Sequence, residues 1–444
     1  MNFRKLIEDE ILIFDGAMGT TLQRRGMPQG MLSEMMNFEM PEVVTGIHRD
    51  YLEAGAKVVI TNSFQANELK LVDVTVEETA QAAVKCARAA GAKYVGFNCG
   101  PTGKVLVPAG DLSFERACEI YRRMALAGQA AGADYIHIGT MADLYETKAA
   151  IVAAKENTSL PVVCTMTFQE NGRTFMGCDP KTAVFTLQGL GVDVLGVNCS
   201  VGPAQLFPVV EEMLRYSRVP VLVQPNAGLP VLRDGVTTYE LPPEDFARVL
   251  AQMAGMGVSI LGGCCGTGPE HIRALAERLK GQKPVAVSPL SVHACTSGRK
   301  TVIFGDAPVS IGGRLLAGEG DVCDLVDAAI DQMDDGVQVI RLGGASAAQL
   351  CEAVQAVQSA LSLPLMIESA DPQAIGAALR VYNGKAAVGV GTAEQGKLAE
   401  ILAHVKKYGA LILCLDGEKG AIGKLREAAT RQGIPACDVA TGEF

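Results

Sequence analysis

The sequence predicts an α/β protein: a (β/α)8 TIM barrel over residues 1–281, a linker over 282–300 and a smaller, incomplete α/β domain over 301–444. Three observations carry that expectation. Short apolar runs alternate with helix-period segments from Ile11 to about Leu279, and eight such strand–helix units close a parallel barrel. Residues Gln282 to Lys300 lack periodicity and carry Pro, Ser, Thr and Gly, as a linker does. The alternation then resumes with six strands and five crossovers, too few for a second eight-unit barrel. That half is either an open sheet or a barrel without its closing elements.

In chain order, the barrel strands are expected at Ile11–Phe14, Lys57–Thr61, Tyr94–Asn98, Tyr135–Ile138, Pro161–Thr165, Val192–Asn198, Pro220–Gln224 and Val258–Leu261. Gly91, Gly132, Gly191 and Gly257 stand where a helix must end just before the next strand, the position that favours a left-handed residue. Past the linker, strands are expected at Val309–Ile311, Val337–Arg341, Pro364–Ile367, Ala386–Val390, Ala410–Leu415 and Cys437–Ala440. Helices among them are expected at Val322–Met333, Ala347–Leu361 and Gly396–Tyr408.

Composition narrows the class. With 48% hydrophobic residues, 20% charged residues and 49 glycines, the chain reads as a soluble, tightly turned α/β protein. No apolar targeting segment opens it and no stretch approaches the ~20 apolar residues of a membrane span, so a cytoplasmic location is expected. A net charge of −10 argues against nucleic acid and anionic membrane as partners, since both need basic surface. The 13 cysteines lack framework spacing and fit a reducing compartment.

Three of those cysteines fall at strand ends. Gly263-Cys264-Cys265-Gly266 closes the eighth strand and Cys199 ends the sixth, at the barrel face where active sites lie. Adjacent cysteines are poorly placed to bridge each other, but three thiolates form a soft set suited to zinc. A zinc with three protein ligands keeps a fourth position open, and its natural occupant is a substrate thiol, which loses its proton near neutral pH once bound.

Several segments together resemble the homocysteine methyltransferase domain of cobalamin-dependent methionine synthase. They are Phe14-Asp15-Gly16-Ala17-Met18-Gly19-Thr20, Thr61-Asn62-Ser63-Phe64, Gly100-Pro101-Thr102-Gly103, Asn171-Gly172-Arg173-Thr174, Gly196-Val197-Asn198-Cys199, Gln224-Pro225-Asn226-Ala227-Gly228 and Gly262-Gly263-Cys264-Cys265-Gly266-Thr267, in order across residues 10–281. The resemblance implies zinc on Cys199, Cys264 and Cys265. Asn226 lies near that site in the family and is a candidate for the open position when no thiol is bound; a loop Asn that ties down its own backbone accounts for it equally. The turn containing Asp15, Ala17 and Met18 resembles the segment that holds the amino-acid portion of homocysteine, although a tight strand–helix turn also explains its glycines, and Thr61 and Asn62 join the expected substrate contacts. One departure is plain: where the family has a glutamate for the substrate amino group, this chain has Gly139. The lost charge-assisted contact is worth about 1.5–3 kcal/mol. His137, on the same strand face, either fills part of that space or is a buried neutral histidine with a structural hydrogen bond.

The second domain resembles part of the pterin-binding barrel that follows in methionine synthase, through Ile311-Gly312-Gly313-Arg314, Asp335-Gly336-Val337-Gln338-Val339-Ile340, Pro364-Leu365-Met366-Ile367 and Lys406-Lys407-Tyr408-Gly409. Its ligand positions differ from the family. Gly313 replaces an acidic residue, Arg341-Leu342-Gly343 replaces Asp-x-Asn, Glu368 replaces an Asp and Gly389 replaces an Asn, while the later pterin-contacting loop would lie beyond residue 444. Each change removes a partner from a polar ring that is costly to bury unpaired. Scaffold, homodimer contact or docking surface for a methyl-carrying protein are the roles expected instead.

The resemblance thus implies a zinc-dependent S-methyltransferase that methylates homocysteine or a related thiol amino acid, to methionine in the first case. The chain carries no Asp-x-His-x-x-Gly signature, so methylcobalamin would arrive on a separate corrinoid protein. S-methylmethionine or S-adenosylmethionine is the rival donor, and a non-catalytic zinc-thiolate accessory module is the alternative of another class. A betaine donor is disfavoured, because quaternary ammonium is held by aromatic cages and this chain has no Trp.

Overall fold

The computed structural model describes residues 2–233, 236–305, 307–391, 396–415 and 419–441; Phe444, where the expected second domain ends, lies outside them. The chain divides into two compact units, one of Met1–Met176 with Val192–Pro289 and one of Gly177–Gly191 with Leu290–Phe444.

The first unit is built on eight parallel strands: Leu12–Ile13, Val58–Ile60, Tyr94–Cys99, Tyr135–Met141, Val162–Met166, Val194–Asn198, Val221–Gln224 and Ile260–Leu261. Each pairs with its neighbour in sequence, the eighth pairs with the first, and a parallel bridge between Phe14 and Val58 completes the ring. The expected strands are all present, with ends trimmed or extended by one to three residues. Alternation puts Leu12, Val58, Tyr135, Val163, Val194, Leu222 and Ile260 into the barrel interior, a packed core and not a pore. Phe3, from the short helix Phe3–Leu6, joins that core and meets the Tyr135 ring edge-on at 5.3 Å. Gly91, Gly132, Gly191 and Gly257 all have φ between 78° and 115°, the left-handed helix stops expected of them. A hairpin that the alternation did not signal, Val231–Arg233 with Val236–Thr238, follows the seventh strand.

The second unit carries six parallel strands in consecutive order, Ile311–Leu316, Val339–Gly343, Leu365–Glu368, Ala387–Val390, Leu411–Cys414 and Val439–Thr441. Among the described residues the first and sixth do not pair, so the sheet is open. The segment expected as a linker is partly strand: His293–Thr296 pairs antiparallel with Thr301–Phe304. Its signal was too short for periodicity to reveal, yet Ala294, Cys295 and Thr296 are almost wholly buried. Cys295 and Val302 join Met366, Ala387 and Leu411 in this unit's core. The helix Pro180–Gly189, expected as an ordinary barrel crossover, groups with this unit. Thr182 and Thr186 hydrogen-bond Thr301 and Thr296 through their hydroxyls at 2.8 and 2.9 Å, and Gly189 lies so close to Gly409 that no Cβ fits at either.

A candidate metal centre at the barrel mouth

The cysteine loops are stitched to one another by backbone. Cys199 N–H donates to Gln224 O at 3.0 Å, Cys264 N–H to Pro225 O at 2.8 Å, and Ala227 N–H to Cys265 O at 2.9 Å. The loop after the seventh strand therefore clamps the ends of the sixth and eighth. Cys199 and Ser200 both sit at φ 63°, a conformation that costs non-glycine residues on the order of 1–3 kcal/mol and persists only where the surroundings enforce it. On the other side, a Cβ at Gly263 would strike the Thr267 side chain and one at Gly266 would strike Tyr239. Both glycines are required for the close approach.

This scaffold brings Cys199, Cys264 and Cys265 together, with all three Sγ within 4.8 Å of one another and those of Cys199 and Cys265 3.9 Å apart. None is in a disulfide. Tetrahedral zinc with Zn–S near 2.3 Å sets its sulfurs about 3.8 Å apart, so the cluster fits the metal. Its electrostatics agree. Hydrogen bonds from Cys264 and Cys265 hold the Cys199 thiol down at about 3, and their bonds to Cys199 push Cys264 well above the usual thiol range and Cys265 up to about 11. The three thiols thus share their protons unequally, and a bound dication would favour the thiolate at all three.

The cluster lines a cavity of about 580 Å³, within the range of small-molecule sites. Asp15, Ala17, Met18, Thr61, Asn62 and His137 line it as well. Asp15 is buried, with Oδ2 accepting Ile60 N–H at 2.8 Å and Oδ1 without a partner. Burial pushes its carboxyl up to about 8. Ala17 N–H is committed to Thr267 Oγ1 at 3.1 Å. Thr61 and Asn62 reach the cavity, yet their side chains serve the scaffold, Thr61 bonding Ser63 Oγ at 2.7 Å and Asn62 donating to Ser33 O at 2.6 Å.

Gly139 does not line the cavity. A Cβ there would lie 2.8 Å from His137 Nε2 and 3.3 Å from Asn98 Oδ1, so the imidazole takes the volume that a side chain at 139 would need. His137 is kept neutral by burial, which pushes it down to about 3, and its Nδ1 has no hydrogen-bond partner. The structural hydrogen bond considered for it does not form at that nitrogen. Asn226 is 2% exposed, and its Oδ1 has no partner.

Sequence reasoning missed Asn98, Thr140 and Asn198, which share the cavity, and Tyr239, whose side chain takes the space beside Gly266 next to Cys265. The first three stand at the carboxyl ends of the third, fourth and sixth strands, so the strand-end rule could have found them. Tyr239 follows the unexpected hairpin, and no local signal marks it.

Similarity to known proteins agrees with this geometry. The family model for homocysteine S-methyltransferase matches residues 12–279. The chain is 29% identical to the methionine synthase of Mycobacterium tuberculosis (strain ATCC 25618 / H37Rv) and 28% identical to that of Mycobacterium leprae (strain TN), in each case over 96% of this chain and 40% of the relative. It therefore spans about 40% of the length of those relatives. The metallated form of the homocysteine methyltransferase MmuM from Escherichia coli superposes with a TM-score of 0.53 at 26% identity, covering 62% of this chain and 98% of that one; its apo form gives 0.50 at 25%. With a family model matched over more than half its length and a thiol cluster at the barrel mouth, the chain belongs to the homocysteine S-methyltransferase family.

Proposed function

We propose that this protein is a zinc-dependent S-methyltransferase that methylates homocysteine to methionine, with the methyl group brought by a separate corrinoid protein. The observation that carries it is the trio of sulfurs at zinc spacing on the wall of a cavity sized for an amino acid. Zinc on Cys199, Cys264 and Cys265 would supply the acidity that lets an incoming thiol bind as its anion at neutral pH. The chain's own residues do the rest. The stitched loops fix the sulfurs, so geometry and deprotonation are prepaid. Asp15 offers its unpartnered Oδ1 to the substrate ammonium, taking over the role of the carboxylate that Gly139 lacks. His137, neutral, presents no competing cation.

The donor reading has its own support. Large apolar side chains stand exposed on loops that leave the carboxyl ends of the barrel strands: Val72 at 90%, Phe175 at 75%, Leu232 at 74% and Val107 at 49%. Exposed apolar groups on the loops of the face that carries the site suit a docking protein better than a small sulfonium.

The test is direct. Zinc-loaded protein with homocysteine is supplied in turn with methylcobalamin, a methylated corrinoid protein and S-methylmethionine, and methionine is quantified. X-ray absorption at the zinc edge, before and after homocysteine, is expected to change from three sulfur neighbours to four. No methionine from any donor, with zinc intact, would leave a non-catalytic zinc module.

A further inference from the structure

We infer that Thr140 is a positioning residue for the thiolate site: a strained bulge in the fourth strand grips the Asn198 amide, and that amide sets the direction of the Cys264 sulfur. The inference rests on the zinc reading proposed above and extends it to two residues that are not ligands. The fourth and fifth strands pair in register up to Ile138 and again at Met141, with a shift between them. Gly139 and Thr140 fall in that bulge. Bulges beside active sites re-aim side chains, and this one is strained, because Thr140 stands at φ 60°, where a β-branched residue is an outlier that persists only when its surroundings enforce it. A glycine at 140 would relieve the strain. What it would lose is the hydroxyl.

Thr140 holds the Asn198 amide at both ends. Its N–H donates to Asn198 Oδ1 at 3.0 Å, and its Oγ1 accepts from Asn198 Nδ2 at 2.7 Å. In a regular strand that N–H would serve the backbone of a neighbouring strand; here it reaches a side chain on the sixth strand, two strands away. The backbone bond also fixes which way round the amide lies, since an N–H can only donate. One Nδ2 hydrogen is taken by Thr140, and the other is left for Cys264 Sγ, 3.8 Å away. Asn198 is 5% exposed, so bulk water does not compete for it.

Cys264 has a fixed backbone and a side chain that the backbone does not fix. Its N–H donates to Pro225 O at 2.8 Å and its carbonyl accepts from Thr267 Oγ1 at 2.6 Å. Those bonds place the Cα but leave the sulfur its choice of staggered rotamers. The Asn198 amide selects among them, in the way that partners beyond the ligands orient ligands at metal sites generally. Thr140 and Asn198 thus act through Cys264 as one unit.

The test measures the zinc affinity of the full chain by competition with a chromophoric chelator, with no thiol substrate present. Thr140→Ala and Asn198→Ala are each expected to weaken zinc about tenfold, and the double variant should lose no more than either single one, because the two residues form one unit. Thr140→Ser, which keeps the hydroxyl, should bind as the wild type does. Thr140→Gly relieves the backbone but lacks the hydroxyl, so its metal-free form should unfold at a higher urea concentration than that of Thr140→Ala while its zinc affinity stays about tenfold below wild type. A residue with a merely structural role would move the urea midpoint and leave zinc alone. Wild-type affinity in both alanine variants, additive losses in the double variant, or an equal loss in Thr140→Ser overturns the inference. Should Asn198→Ala fail to fold, Thr140→Ala against Thr140→Ser decides by itself. A wild-type chain that takes up no zinc sinks the zinc reading and this inference with it, whereas zinc held equally by every variant sinks this inference alone.

Discussion

Asp15 has one oxygen bonded to backbone and one buried with nothing to bond, and its proton follows from that. Burial raises its carboxyl to about 8, above the unfolded value near 3.9. A raised pKa means the folded state keeps a proton that the unfolded state gives up. Its contribution to stability is therefore complete below about pH 4 and is lost as pH rises to about 8, by on the order of 1 kcal/mol per pH unit. Asp15→Asn should flatten that slope in urea titrations between pH 4 and 8. A ligand ammonium beside Asp15 would favour the anion, so methionine, whose sulfur has no proton to lose, should release a proton when it binds at pH 7. Calorimetry in buffers of different ionisation enthalpy reads the release, and its persistence in Asp15→Asn would remove Asp15 from the substrate site. Gly139→Glu should destabilise the protein by about 1–3 kcal/mol, because His137 occupies the space; adding His137→Ala should restore the urea midpoint. Cys264→Ser should lower zinc content by about tenfold or more together with activity, and full activity after metal stripping would discard the zinc mechanism.

At the scale of elements, the barrel mouth works because strand ends are rigid and the loops leaving them are clamped. The strand-end rule placed the three cysteines in advance; it did not announce the hairpin at Val231–Arg233 and Val236–Thr238, whose strands are three residues each and too short for an alternating pattern to register. That hairpin leads into Tyr239, so the missed element and the missed residue share one cause. In the second unit, buried Lys385 pairs with Asp438, just before the fourth and sixth strands respectively. Removing one partner strands a charge, so Lys385→Ala should cost about 3–5 kcal/mol, seen as a lower midpoint in urea.

At the scale of the whole molecule, the second unit is an open six-stranded sheet whose Glu368 is bonded by Arg341 at 2.6 and 3.1 Å and paired with Arg314 at 3.2 Å. A carboxylate committed to two guanidinium groups is a poor partner for a pterin ring, which supports the proposal that this unit serves as scaffold or docking surface. Methyltetrahydrofolate titrated into the full chain should give no saturable heat; a micromolar isotherm would return folate to the account. The expected linker illustrates what one-dimensional patterning leaves out. Residues 293–296 had no periodicity, but Cys295 is buried in one core cluster with Met366 and Leu411.

By itself the sequence determined the eightfold strand–helix rhythm, the glycine stops and the three cysteines at strand ends. Those signals are local, set by backbone sterics and by the alternation of side chains along a strand. Tertiary structure alone decided that His137 fills the space beside Gly139, that Asn198 reaches the Cys264 sulfur, and that Gly177–Gly191 groups with the second unit. Each of these depends on close packing between residues far apart in the chain, and no pattern along the sequence encodes that distance.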